Sequence, residues 1–248
     1  MRSLWIDYVV RVDTDRVQLL HPSGTTESVM HENAPARALA ELLAQVAAPR
    51  GRAERWRRRL HVLLGSPWYH AALLQWQDGL YTDEAWSAYG RAVLNADGVP
   101  SAAGLDVSVE GAGFEKSRLC VAIHQRLMVQ LQGAAQAAGW KIASCRDILS
   151  VLIARHLKVL PKDCMFAVLE QDMLTCVTRR EGAWSDLAMI CRAPGQTIAD
   201  ALVTARLLGA DPQGAKIFLV ATTRQAREPS DDWEWLDAGL NIAGGIEQ

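Results

Sequence analysis

No C-x-x-C pair, no H-x-x-x-H spacing and no long apolar run occurs in these 248 residues. Each absence closes off a class. Without an uncharged apolar stretch approaching ~20 residues, there is no helix to span a bilayer. The five cysteines (Cys120, Cys145, Cys164, Cys176, Cys191) are odd in number and scattered through apolar segments. They read as reduced core thiols of a cytosolic protein, not as a disulfide framework. The six histidines form no Cys/His cluster at zinc spacing, so no metal site is expected, although His61 and His70 could meet on adjacent strands. Net charge is -2 and the pI about 6.3, which gives no global case for nucleic acid or an anionic membrane. The opening MRSLWIDYVV has no signal-peptide core or cleavage site, so a cytoplasmic chain is expected. LLGSPW is the only approach to a nucleophile elbow and lacks its second glycine, so no catalytic residue is expected there.

What is present is a globular composition, 50% apolar and 22% charged, long enough for one large domain or two lobes. LWIDYVVRV, the turn DTD and RVQLLH predict a β-hairpin, with TESVM as a third strand. Helical spacing over 35–48 predicts a helix with Pro35 in its first turn. A strand over 60–65, a second in YHAALLQW and a helix over 82–94 capped by Thr82 follow. Residues 97–116 read as loop with one short strand. A strand at 118–123, a helix at 125–138 ended by Gly139, a strand at 140–145 and a helix at 147–157 with Asp147 as cap complete an α/β layout. The order then recurs about 160 residues on: a hairpin over 165–180, a third strand in GAWSDLAMICR, a helix over 196–209 and a buried strand over 216–222. The tail from Asp231 reads as a short helix with a loose Gly-rich end.

This duplicated pattern resembles the actin-like (ribonuclease H-like) ATPase fold. RLCVAIHQRLMVQLQGAAQAAGWKIASCRDILSVLIARHL (118–157) resembles the connecting segment of the PilM family of type IV pilus assembly. That family shows an apolar strand, an amphipathic helix, an Ala-Gly followed by a β run, and an apolar helix. LHVLLGSPWYHAALLQWQDGLYTDEAW (60–86) is similar to the point where PilM leaves its first lobe for an inserted subdomain. The cytoplasmic domain of the type II secretion protein GspL shares this plan. The resemblance implies a two-lobed α/β protein. Its first lobe would span 1–160 with an inserted subdomain at about 67–116, and its second lobe 161–248.

An actin-type nucleotide site needs an Asp followed closely by Gly in each lobe's hairpin turn, so that backbone N–H groups approach phosphate and the Asp holds hydrated Mg²⁺. The first turn, RVDTDRVQ, offers Asp13 and Asp15 but no glycine. The second, LEQDMLT, has Glu170 at the Asp position and Asp172 at the glycine position, where a carboxylate would face phosphate with like charge. Thr175 matches the family's threonine. Thr222 and Thr223 stand where a Gly-Gly turn would admit adenosine. The sequence therefore predicts a retained fold with a degenerate site, no cofactor and no ATP turnover. The acidic residues read as solvated turn residues.

Two surface features remain. Arg50, Arg52, Arg55, Arg57, Arg58 and Arg59 crowd ten residues, with Trp56 among them. Such a run is a solvated loop or a contact for a protein or membrane surface. Trp233 and Trp235 in DDWEWLD are an acid-rimmed aromatic pair, to be either packed on the second lobe or used as an interface. Trp5, Trp68, Trp76, Trp86 and Trp140 read as core. The resemblance implies a non-catalytic scaffold at the inner face of the bacterial inner membrane. It would bind a short cytoplasmic segment of a membrane-anchored, PilN-like assembly protein, with an assembly ATPase as a further partner and a homodimer left open. An ATP-binding actin-like ATPase or kinase, and a nucleic-acid binder using the arginine run, are the alternatives.

Overall fold

The computed structural model describes residues 6–21, 24–46, 58–209, 214–222 and 230–239. The hairpin expected first is β1 (Ile6–Val12) and β2 (Arg16–Leu20), followed antiparallel by β3 (Thr26–Met30). Two parallel strands, β4 (Arg58–Leu64) and then β8 (Lys141–Asp147), extend the sheet beyond β1, giving the order β3-β2-β1-β4-β8. Helix α1 (Pro35–Gln45) starts on Pro35 and buries Ala38, Leu39, Leu42 and Leu43. Helix α3 (Gln125–Ala137) buries Leu127, Leu131 and Ala135, spaced by four, and ends where Gly139 takes a positive φ of 77°. Both faces close on Val10, Val12, Leu60, Val62 and Leu64. Trp140 completes this core, edge-on to Tyr8 at 4.9 Å.

Between β4 and α3 the chain builds a three-stranded sheet. β5 (His70–Leu74) pairs antiparallel with β7 (Arg118–His124), and β6 (Leu105–Val109) lies on the far side of β7. Helix α2 (Asp83–Ala96) covers it. As predicted, the Thr82 side chain caps that helix, accepting from Ala85 N at 3.2 Å, with Asp83 and Glu84 in the first turn. Gly90 permits the close approach of helix to sheet, since a Cβ there would sit 2.8 Å from Cys120 Sγ.

After α4 (Ile148–His156) comes the second copy. β9 (Cys164–Leu169), β10 (Met173–Arg180) and β11 (Ala183–Cys191) are antiparallel neighbours. α5 (Ile198–Leu208) opens with a capping box between Thr197 and Asp200. β12 (Ile217–Ala221) runs parallel to β9. The tail departs from expectation. Trp233–Leu236 is not a helix but a strand, β13, parallel to β12. Trp233 and Trp235 alternate with Glu234, the period of a strand, and both rings pack on the core beside Ile217 and Leu219. The sheet order β11-β10-β9-β12-β13 thus repeats the first sheet strand for strand, with the same parallel and antiparallel sense.

By packing, the chain divides into two compact units. One comprises 1–69, 123–148 and 239–248; the other comprises 70–122 and 149–238. The second unit therefore groups the three-stranded sheet with the second five-stranded sheet. Buried Trp184 on β11 joins them, donating from Nε1 to Glu110 Oε2 at 2.8 Å and accepting at its carbonyl from Ser117 Oγ. Burial pushes the Glu110 carboxyl above its usual range, against the pull of the Trp184 hydrogen bond and of Arg179.

Candidate functional site

β1 carries an arginine into the first turn. Arg11 and Asp13 are two apart on a strand, so they point the same way. Both are buried, at 4% and 5% exposure, and Arg11 Nε and Nη2 reach Asp13 Oδ1 at 2.7 and 2.6 Å. Burial pushes the Asp13 carboxyl above its ordinary value, and the Arg11 guanidinium pulls it back. The reading of Asp13 as a solvated turn residue is therefore corrected: its charge is turned inward onto a cation. The remaining groups of the turn are also engaged. Asp13 N donates to Arg16 O (2.9 Å), Trp68 Nε1 donates to Asp13 O (2.7 Å), and Thr14 Oγ1 donates to Ser66 O (2.9 Å). Asp15 pairs with Arg16 at 2.9 Å, and its carbonyl accepts from His31 N.

The second turn is closed in a related way. Glu170 N donates to Met173 O at 2.9 Å, which leaves Gln171 and Asp172 at the tip. Glu170 is 3% exposed, so it too is not a solvated residue, whereas Asp172 is exposed. Thr175 is fully buried on β10, and its Oγ1 has no hydrogen-bond partner among the described residues. Thr222 folds back on the hairpin, its N and Oγ1 both donating to Leu169 O at 2.9 and 3.2 Å. Thr223 lies outside the described residues. No residue of either turn takes a positive φ.

The arginine run is divided. Arg50, Arg52, Arg55 and Arg57 lie outside the described residues. Arg58 and Arg59 begin β4; Arg58 is buried, which takes it out of a surface patch, while the Arg59 side chain stays 31% exposed. Arg58 is 8% exposed, in line with Leu60, Val62 and Leu64, with its guanidinium 5.1 Å from the centre of the Trp140 ring. Arg59 binds Asp7 through two bonds, at 2.9 and 3.2 Å. Trp233 and Trp235 are half-buried on the second core, as above.

Among the described residues no group of His, Cys, Asp and Glu is placed to hold a metal. His61 bonds Ser144 (2.8 Å) and Asp7 (3.3 Å) on the first sheet, while His70 lies on the three-stranded sheet, so the two do not share adjacent strands. Trp86 and Trp140 are buried core residues, and Trp68 and Trp76 pack at the rim of theirs. Burial pushes the thiols of Cys120, Cys145 and Cys176 up to about 12 and that of Cys164 up to about 11, so they stay protonated at neutral pH. Cys191 departs from the core reading and is exposed at the end of β11.

No protein-family model matches the chain, and no curated protein matches it. Solved structures do. A chain of the PilM–PilN type IV pilus biogenesis complex aligns with a TM-score of 0.60 at 13% identity, covering 97% of this chain and 91% of that one. The cytoplasmic domain of EpsL, an inner-membrane component of the type II secretion system of Vibrio cholerae, aligns at 0.56 and 11% identity, covering 96% and 91%. A Bacteroides thetaiotaomicron protein described as having the actin-like ATPase fold aligns at 0.56 and 12% identity, covering 91% and 84%. The chain has the actin-like fold. In the described residues the polar groups of the first hairpin turn are engaged by the chain's own residues. Arg11 was the residue sequence reasoning missed. An arginine two before an aspartate on a strand was the available signal.

Proposed function

We propose that this actin-like domain is a scaffold that does not turn over nucleotide. It works at the cytoplasmic face of a bacterial inner membrane, in a pilus or secretion-like envelope machine, and binds a short cytoplasmic segment of a membrane protein. The observation that carries the reading is the closed first turn, where Arg11 holds the Asp13 carboxylate that a Mg-nucleotide would need. The likeness of fold to EpsL and to the PilM–PilN complex supports the setting. No helix among the described residues is long and apolar enough to cross a membrane.

Two measurements test it. A thermal melt with Mg-ATP at millimolar concentrations is expected to match the melt without it, and an upward shift abolished by Asp13→Ala would restore the ATPase reading. Cross-linking of the tagged full chain in its native host is expected to recover an inner-membrane protein with a short cytoplasmic segment. Recovery without any membrane cross-link would remove the scaffold role.

A further inference from the structure

A strand edge left bare will pair with another chain unless charge, shortness or cover prevents it. Most edges among the described residues are guarded in one of these ways. β8 carries exposed Lys141 and Arg146, and β6 carries exposed Asp106. β13 has only four residues, with Glu234 exposed. β5 and β11 stand against one another across a shared cleft. β3 (Thr26–Met30), the remaining edge of the first sheet, has none of these guards. Thr26, Ser28 and Met30 are exposed and uncharged, Met30 at 61%. The one charge of the strand, Glu27, lies 3.4 Å from His21 Nε2 of its own hairpin.

Antiparallel alternation fixes which backbone groups β3 leaves open. His21 N donates to Thr25 O at 2.9 Å, and His31 N donates to Asp15 O at 2.7 Å. The bonded pairs between those ends are Leu19–Glu27 and Val17–Val29. Thr26, Ser28 and Met30, which alternate with them, direct their N–H and C=O groups away from β2. The residues with outward backbone are thus the same three whose side chains are exposed and neutral.

We propose that β3 pairs antiparallel with β3 of a second copy of this chain, about a two-fold axis at Ser28. The register is self-complementary, as a two-fold interface requires. Ser28 exchanges both bonds with Ser28 of the second copy, and Thr26 does so with Met30 of the second copy. All three outward residues are used. Glu27 falls opposite Val29 of the second copy, so no like charges meet. Moving the axis one residue back, to Glu27, would set that carboxylate against its own copy. The joined edge also has room for the helices. α1 packs over β2 and β3, so the two α1 helices lie on one face of the joined sheet. Twice the strand spacing puts them about 10 Å apart, which is helix-packing distance. The exposed charges of α1, Arg37 and Glu41, are opposite in sign, so the seam gathers no single charge.

Sedimentation of the full chain over a range of concentrations tests this, and a monomer–dimer equilibrium is expected. Ser28→Lys places two ammonium groups face to face and is expected to raise the dimer dissociation constant about tenfold or more. Ser28→Pro removes the outward donor at the axis, leaves the β2–β3 ladder its bonds, and is expected to give a monomer. Circular dichroism checks that both variants fold. The register is tested by cross-linking in a Cys191→Ser background, which removes the exposed native thiol. Bonded antiparallel neighbours stand about 5.5 Å apart at Cα, within disulfide reach, so Ser28→Cys is expected to form a disulfide dimer on mild oxidation. Glu27→Cys, off the axis, is expected not to. A chain monomeric at every concentration, a dimer that both Ser28→Lys and Ser28→Pro leave unchanged, or equal cross-linking by the two cysteine variants overturns the proposal. A monomer that loses its membrane cross-link in Ser28→Lys also overturns it, and assigns the edge to the membrane partner's strand.

Discussion

Replacing Arg11 by Met is expected to destabilise the chain by about 3–5 kcal/mol at neutral pH, because it strands a buried carboxylate without its cation. The physical basis is the geometry of the first turn. Two bonds of 2.7 and 2.6 Å join the pair, and neither side chain has water enough to replace its partner. Asp13→Ala is expected to be destabilising as well, because it takes the carboxylate partner from a buried guanidinium. The double replacement Arg11→Met with Asp13→Leu should recover part of the loss, since it removes both charges of the pair together.

The pH dependence has a definite sign. Burial already holds the Asp13 carboxyl above its usual value, and Arg11 is the main influence lowering it. Without Arg11 it rises further. A carboxyl raised in the folded state binds its proton more readily there than in the unfolded chain, so stability is lost as pH rises through the folded value. The Arg11→Met penalty should therefore shrink as pH falls from 7 toward the ordinary aspartate value of about 3.9. Urea titrations of the single and double variants at both ends of that range decide the matter. An equal penalty at both pH values, or no recovery in the double variant, would show that the pair is not the buried, coupled unit described. In a working nucleotide turn the same aspartate would instead report on ligand affinity.

Much of this fold was legible because its signals are local. The hairpins read over 4–20 and 165–180, the helix start at Pro35, the cap at Thr82 and the stop at Gly139 each depend on a few adjacent residues, and over the described residues each stands where it was read. The repeat of hairpin, third strand, helix and strand was enough to give the two-lobed class. What failed depended on context. Asp13 carries no mark of burial in DTD, because a turn aspartate is ordinarily solvated. Its fate is set by an arginine whose own burial follows from the pleat of β1. Arg58 and Arg59 look like the end of a charge run, yet strand alternation sends one toward Trp140 and pairs the other with Asp7. The facing edges of β5 and β11 are more than a hundred residues apart in sequence and left no trace in it.

The tail shows the same division between local pattern and tertiary demand. WEWL alternates with period two, the spacing of a strand and not of the short helix expected from Asp231. The second sheet needs a fifth strand where β8 stands in the first, and β13 fills that place. Ending the chain after Glu228 is accordingly expected to cost the second unit its stability. It would remove both tryptophan rings from the core and leave β12, buried at all five positions, as a bare apolar edge. A fully buried tryptophan lost to alanine costs about 3–5 kcal/mol. For the half-buried rings of Trp233 and Trp235 about 2 kcal/mol each is expected, on the same basis. With the lost ladder added, the total is comparable to the whole stability of a domain, about 5–15 kcal/mol. The truncated chain should aggregate through its exposed edge, while Trp235→Ala alone should remain soluble with a lowered midpoint. Glu234→Gln is the contrasting case. Its bond to Lys216 is short, at 2.6 Å, but both side chains are half-exposed or more, so the change should cost less than about 1 kcal/mol. Soluble yield and urea midpoints of the three variants measure this ordering, and a truncated chain that melts like the full one would remove β13 from the fold's required parts.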